Sequence, residues 1–182
     1  MVILRKKVAG LNQAALARFV ARARRAAGLH GTANVLVTTN RELRALNRRF
    51  RGVDKPTDVL SFPPIADLAG DFGGDVAISA EMAAVNGRQL GHSAAAEVRI
   101  LVLHGVLHLA GHDHERDDGE MAGEEERLRR KLGLPVGLIE RSGRPGAKTQ
   151  EADDRRGRRE GKRSRRKGGG ARATPALGRR ER

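Results

Sequence analysis

Residues 94 to 114 read AAAEVRILVLHGVLHLAGHDH, and the reading of this stretch decides the fold. From Ile100 to Gly111 the run is 12 residues long, carries no formal charge and contains two histidines. A helix that spans a bilayer needs about 20 apolar residues. The stretch is therefore predicted as a buried helix from Ala94 to Ala110 inside a globular domain, closed by Gly111 at the C′ position.

Working outward from that helix, the pattern alternates. Toward the N-terminus, Ser79 can cap a helix through Glu81 and Met82 toward Leu90. Before it, Gly74 to Ile78 reads as a strand, and Asp58 to Phe62 as another, stopped by Pro63 and Pro64. Asn34 to Thr39 is short and β-branched, a third strand, after which Asn40 is expected to cap a helix through Leu43, Leu46 and Asn47 to about Arg49. Asn12 caps an amphipathic helix to about Ala27, with Leu16, Phe19, Val20 and Ala23 on one face and Arg18, Arg22 and Arg25 on the other. Val2 to Leu4 is a candidate first strand. Beyond the central stretch, Asp117 or Asp118 opens a last helix to about Leu132, in which Glu124, Glu125 and Glu126 are expected to face Arg129, Arg130 and Lys131. Strands and helices interleaved at this spacing predict a small α/β or α+β domain; the order of strands in its sheet is not readable from the pattern.

The chain has 182 residues, a formal net charge of +14 and no cysteine, which excludes a disulfide scaffold, an iron–sulfur site and a cysteine-based zinc finger. The charge is uneven. Arg141 to Arg182 holds 16 basic and 5 acidic residues, leaving 20 against 17 in the first 140. Leu177 is the only large apolar residue of that tail, too little to offset the entropy of ordering it, so residues 1–140 are expected to form the domain and 141–182 a disordered basic extension. The extension is either a solvating appendage or a nonspecific RNA anchor, since clustered Lys and Arg release counterions from a phosphate chain. It has no aromatic residue with which to stack bases. Apolar residues precede the charges in Met1-Val2-Ile3-Leu4-Arg5-Lys6-Lys7, the reverse of a secretory signal, which predicts a cytoplasmic protein without membrane contact.

The chemistry is concentrated at the end of the central helix. A lone histidine on an apolar helix face is ordinarily a satisfied core residue, but here four fall within eleven positions, His104 to His114. His104 and His108, four apart, lie on one helix face and can aim ring nitrogens at one point roughly 2.0–2.1 Å from each, the zinc–imidazole distance. After the turn at Gly111, His114 can return to the same point as a third ligand. Three neutral imidazoles and one open position make a catalytic rather than a closed structural zinc site. His112, beside the turn, suits an outer position, and Asp113 either orients a ligand imidazole or caps the turn. The spacing resembles the H-E-x-x-H of zinc proteases, but position 105 is Gly, so the general base is missing and peptide hydrolysis is disfavoured, although Glu115 or Asp113 could substitute.

A second cluster, Asn47 to Pro63, runs a basic segment directly into a strand. Its simplest reading is an exposed helix end with solvated charges, which accounts for Arg48 and Arg49. Arg51 is the candidate for more: a guanidinium fork beside a metal suits the charge that grows on a phosphodiester's non-bridging oxygens during cleavage.

Taken together, Arg51 with PTDVLSFP (Pro56 to Pro63), GDVAIS (Gly74 to Ser79) and HGVLHLAGHDH (His104 to His114) resemble the YbeY family of bacterial endoribonucleases and rRNA maturation factors. The resemblance covers about residues 34 to 134. It implies a small mixed sheet of about four strands packed with helices, and a zinc site in a cleft. It further implies a single-strand-specific, metal-dependent endoribonuclease acting in 16S rRNA 3′-end maturation and ribosome quality control, with 16S precursor rRNA and the small ribosomal subunit as partners. It carries over His104, His108 and His114 as ligands of one zinc ion, His114 with Arg51 also as catalytic residues. Many relatives have Tyr where this chain has His112. Whether water or the RNA 2′-OH attacks stays open at this level, and the alternative to catalysis is an assembly factor that binds RNA around a structural zinc.

Overall fold

The computed structural model describes residues 1–65, 71–112 and 117–136. All belong to the first of the two units into which the chain divides, Met1–Glu140; the second, Arg141–Arg182, lies outside the described residues. In chain order the elements are β1 (Val2–Leu4), α1 (Gln13–Ala26), β2 (Thr32–Thr38), α2 (Asn40–Arg51), β3 (Val59–Phe62), β4 (Phe72–Ser79), α3 (Ala80–Gln89), α4 (Ala94–Leu109) and α5 (Glu120–Leu132). The expected mixed α/β domain is observed.

The four strands form one sheet in the order β1-β2-β4-β3, with β1, β2 and β4 parallel and β3 antiparallel to β4 at the edge. Val35 pairs with Val76 and Val37 with Ile78, so alternate residues of β2 and β4 reach one face together. There they meet Leu16, Phe19, Val20 and Ala23 of α1 and the apolar side chains of α4 in the main core. The opposite face is smaller: Leu43 of α2 packs on Leu60 and Ala77.

α4 is the keel of this arrangement. Leu101, Leu103, Val106 and Leu107 are fully buried, and burying one such side chain contributes about 1.5–3 kcal/mol. A helix apolar nearly all round needs neighbours all round. The sheet lies beneath it, with α1, α3 and α5 packed alongside. Ser93 caps its start by accepting from the Ala96 N–H. Its end is a Schellman turn: the Gly111 N–H donates to the His108 carbonyl, the His112 N–H to the Leu107 carbonyl, and Gly111 takes φ +95°. Among the described residues no single helix is long and apolar enough to cross a membrane.

Several element ends differ from the sequence expectation. The N-cap of α2 is Thr39, whose hydroxyl accepts from the Glu42 N–H, while Asn40 is the first helical residue and its side chain accepts from the Ser79 hydroxyl instead. Both residue types can cap, and the bond to β4 decides between them. α2 runs on to Arg51, two residues past the expected end, and Gly52 closes it in the left-handed region at φ +70°. β4 is longer than Gly74 to Ile78 because parallel pairing with β2 extends over the whole of Thr32–Thr38. On α5, Glu125 and Glu126 pair with Arg129 and Arg130 as expected, but Glu124 pairs at i,i+3 with Arg127, a residue outside the expected set.

Candidate metal centre

Two of the three predicted ligands come together in the last turns of α4. The Nε2 atoms of His104 and His108 lie 3.2 Å apart, with the rings nearly perpendicular and their centroids 4.8 Å apart. Two imidazoles bound to one tetrahedral ion at about 2.0–2.1 Å would hold their nitrogens about 3.3–3.4 Å apart. The observed separation fits that edge, so the donor set present suits zinc. The last turn of a helix also favours positive charge, because its carbonyls point outward there.

The tautomer of His104 follows from its second nitrogen. Nδ1 lies 2.8 Å from Oε2 of Glu125, a carboxylate that can only accept, so Nδ1 carries the proton, and in the neutral imidazole Nε2 is left as the lone-pair nitrogen facing His108. A carboxylate behind a histidine is the usual support of a metal-binding imidazole. Glu125 is itself 7% exposed, and its other oxygen takes an ion pair from Arg129 one turn along α5. Met121, Leu128 and Leu132 bury the same face of α5 and fix the carboxylate's position. The N-cap of α5 is Gly119, and Asp117, two residues before it, accepts from the Gly119 and Met121 N–H groups, so of the two candidates for opening the helix it is Asp117 that engages its first turn. Replacing Glu125 with Gln is expected to weaken zinc binding about 10- to 100-fold, measured by competition with a chromogenic chelator. An unchanged affinity would remove Glu125 from the centre.

Sequence reasoning missed Glu125, which sits inside a run of three glutamates. Its signal was spacing: it alone of the three falls four residues after Met121 and three before Leu128. Glu124, half-buried on the flank, has its carboxyl held below the usual carboxylate range chiefly by the hydrogen bonds from Arg127 (2.5 and 2.7 Å), with smaller charge effects from Arg127, His112 and Lys131.

Position 105 explains why the resemblance to H-E-x-x-H is superficial. Gly105 faces the sheet, not the histidines. A Cβ there would lie 2.7 Å from Val76 Cγ1 and 3.0 Å from Ser61 Oγ. Ser61 Oγ donates to the Gly105 carbonyl at 3.2 Å, tying β3 to the histidine helix. A glutamate at 105 has no room, whatever chemistry it might serve.

The remaining predicted residues divide. His114, Asp113 and Glu115 lie outside the described residues. Among the described residues no group of three or more metal-binding side chains occurs. Arg51 is exposed at the last position of α2, and no hydrogen bond or ion pair joins it to His104 or His108. The loop after it is pinned by a bidentate Arg44–Asp54 pair at 2.8 Å and by the Asn47 side-chain amide, which donates to the Lys55 carbonyl. Asp54 is held below the usual carboxylate range first by its hydrogen bonding to Arg44.

Residues 4–133 match the family model described as Endoribonuclease YbeY. Endoribonuclease YbeY of Koribacter versatilis is 56% identical over 155 residues, covering 85% of this chain and all of that protein. Its counterpart in Solibacter usitatus is 49% identical over 140 residues, 77% of this chain and 92% of that protein. Among solved structures, the solution structure of TM1509 from Thermotoga maritima superposes with a TM-score of 0.51 at 28% identity, covering 72% of this chain and 89% of that one.

Proposed function

Because the chain belongs to the YbeY endoribonuclease family, we propose that it is a single-strand-specific, zinc-dependent endoribonuclease that matures the 3′ end of 16S rRNA and serves ribosome quality control. It would work in the cytoplasm on 16S precursor rRNA and the small ribosomal subunit. We assign the activity to residues 1–140 and none of it to 141–182, which the family model does not reach. The observation that carries the metal dependence is the Nε2 pair of His104 and His108 with Glu125 behind it.

His104, His108 and His114 would hold the zinc. Bound there, the ion supplies Lewis acidity toward a phosphodiester oxygen. Glu125 keeps the proton of His104 on Nδ1, so that Nε2 stays a donor of its lone pair. The guanidinium of Arg51, planar and permanently charged, would grip a non-bridging phosphate oxygen and strengthen its hold as charge develops. The buried seat of Gly105 leaves no carboxylate base on the helix between the histidines, which sets the site apart from zinc proteases.

The test is metal analysis of the purified protein joined to cleavage of 16S precursor rRNA with and without chelator. One zinc per chain and chelator-sensitive cleavage are expected, and Arg51→Ala and His114→Ala proteins should bind the rRNA yet leave its 3′ end unprocessed. Correct 3′ ends from folded variants of both kinds would favour an RNA-binding assembly factor with a structural zinc and overturn the enzyme.

A further inference from the structure

The chain contains four phenylalanines and no tyrosine or tryptophan, so any stacking surface must be built from very little. Phe19 is buried in the main core, whereas Phe50 is 57% exposed. It sits on the next-to-last residue of α2, four past Leu46, where the helix has outrun the small core beneath Leu43, Leu60 and Ala77. Its ring is not loose. Phe62, the last residue of β3, braces it edge to face, with centroids 5.1 Å apart and planes at 67°. Arg49 lies over the ring at 5.3 Å. Arg48 and Arg51 flank it in the last turn, exposed and without an ion pair among the described residues, while Arg44 is occupied by Asp54.

A fixed, half-exposed aromatic rimmed by free guanidinium groups has the chemistry of a nucleic-acid stacking platform: the ring takes the face of a base and the cations take the phosphates beside it. We propose that Phe50, braced by Phe62 and rimmed by Arg48, Arg49 and Arg51, is a subsite that stacks one unpaired nucleobase of single-stranded RNA. The subsite rests on the endoribonuclease reading and supplies its preference for single strands, because a base in a duplex has both faces already covered. Phenylalanine offers no hydrogen bond, so the subsite tolerates any base.

Its place in the fold connects it to the metal centre. Ser61 and Phe62 are consecutive on the edge strand β3, and consecutive strand residues point to opposite faces. Ser61 bonds the carbonyl of Gly105, next to His104, while Phe62 braces Phe50. The platform therefore lies across one edge strand from the histidine helix, and an RNA strand passing over that edge would meet both.

The chain's lack of tryptophan makes a direct test available. Phe50→Trp places a single indole at the site, and Phe50→Ala removes the ring. With metal-stripped full-length protein and a short oligouridylate as probe, the Ala variant is expected to bind about 10- to 100-fold more weakly, the usual loss for one stacked base. The Trp variant should bind at least as tightly as the unaltered chain, with its emission quenched by the single strand and not by a duplex RNA. Undiminished binding by Phe50→Ala, or unchanged Trp emission at saturating oligouridylate, would overturn the subsite. Should the unaltered chain cleave RNA while Phe50→Ala binds normally, only the subsite falls. Should the Trp be quenched in a metal-loaded chain that cleaves nothing, only the endoribonuclease reading falls.

Discussion

His104→Ala and His108→Ala proteins are each expected to bind zinc at least about 100-fold more weakly than the unaltered chain and to lose RNA cleavage with it. The magnitude follows from comparison: loss of a carboxylate that merely supports a ligand costs about 10- to 100-fold, and loss of the ligand itself costs more. Neither change should unfold the protein, because both imidazoles are half-buried at the margin of α4 while Leu101, Leu103 and Leu107 keep the helix in the core. Far-ultraviolet circular dichroism would check the fold, and equilibrium dialysis against zinc the affinity. A folded His108→Ala protein that still carried one tightly held zinc would mean that the 3.2 Å nitrogen pair is an ordinary imidazole hydrogen bond.

The second large effect concerns stability. Gly105→Ala exchanges two opposing terms: alanine is better than glycine in a helix by about 0.8–1.0 kcal/mol, while forcing a methyl against packed neighbours costs about 1–3 kcal/mol. Val76 Cγ1 stands 2.7 Å from the new atom and belongs to a central strand, so the second term should win by roughly 1 kcal/mol. Gly105→Glu forces a carboxylate beneath α4, where the nearby Ser61 hydroxyl already serves the Gly105 carbonyl, and is expected to lose more than about 4 kcal/mol, enough to leave much of the chain unfolded. Urea midpoints of the two variants against the unaltered chain would measure this. A Gly105→Glu protein with an unshifted midpoint would show that α4 is not seated on Val76 and Ser61.

Much of this was legible before any coordinates. The run from Ile100 to Gly111 could only be a core helix, and histidines four apart on a helix must share a face, so the pair could be named from spacing alone. Long-range partners were less legible. Nothing local distinguishes Thr39 from Asn40 as a cap; the hydroxyl of Ser79, 39 positions away from Asn40, does. Glu125 reaches His104 across 21 positions, and the run Glu124 to Glu126 reads as solvent-facing until the phase of Met121, Leu128 and Leu132 is followed. Strand order and the bracing of Phe50 by Phe62 depend on pairings that no periodicity encodes.

The tight seating of Gly105 also limits how this centre can be re-engineered. Since α4 cannot slide or rotate on the sheet without driving position 105 into Val76, the histidines cannot be spread or drawn together by moving their backbone. A library aimed at changing metal preference should therefore leave α4 alone and diversify α5 around Glu125, where altering the orientation of an imidazole need not disturb the foundation beneath it.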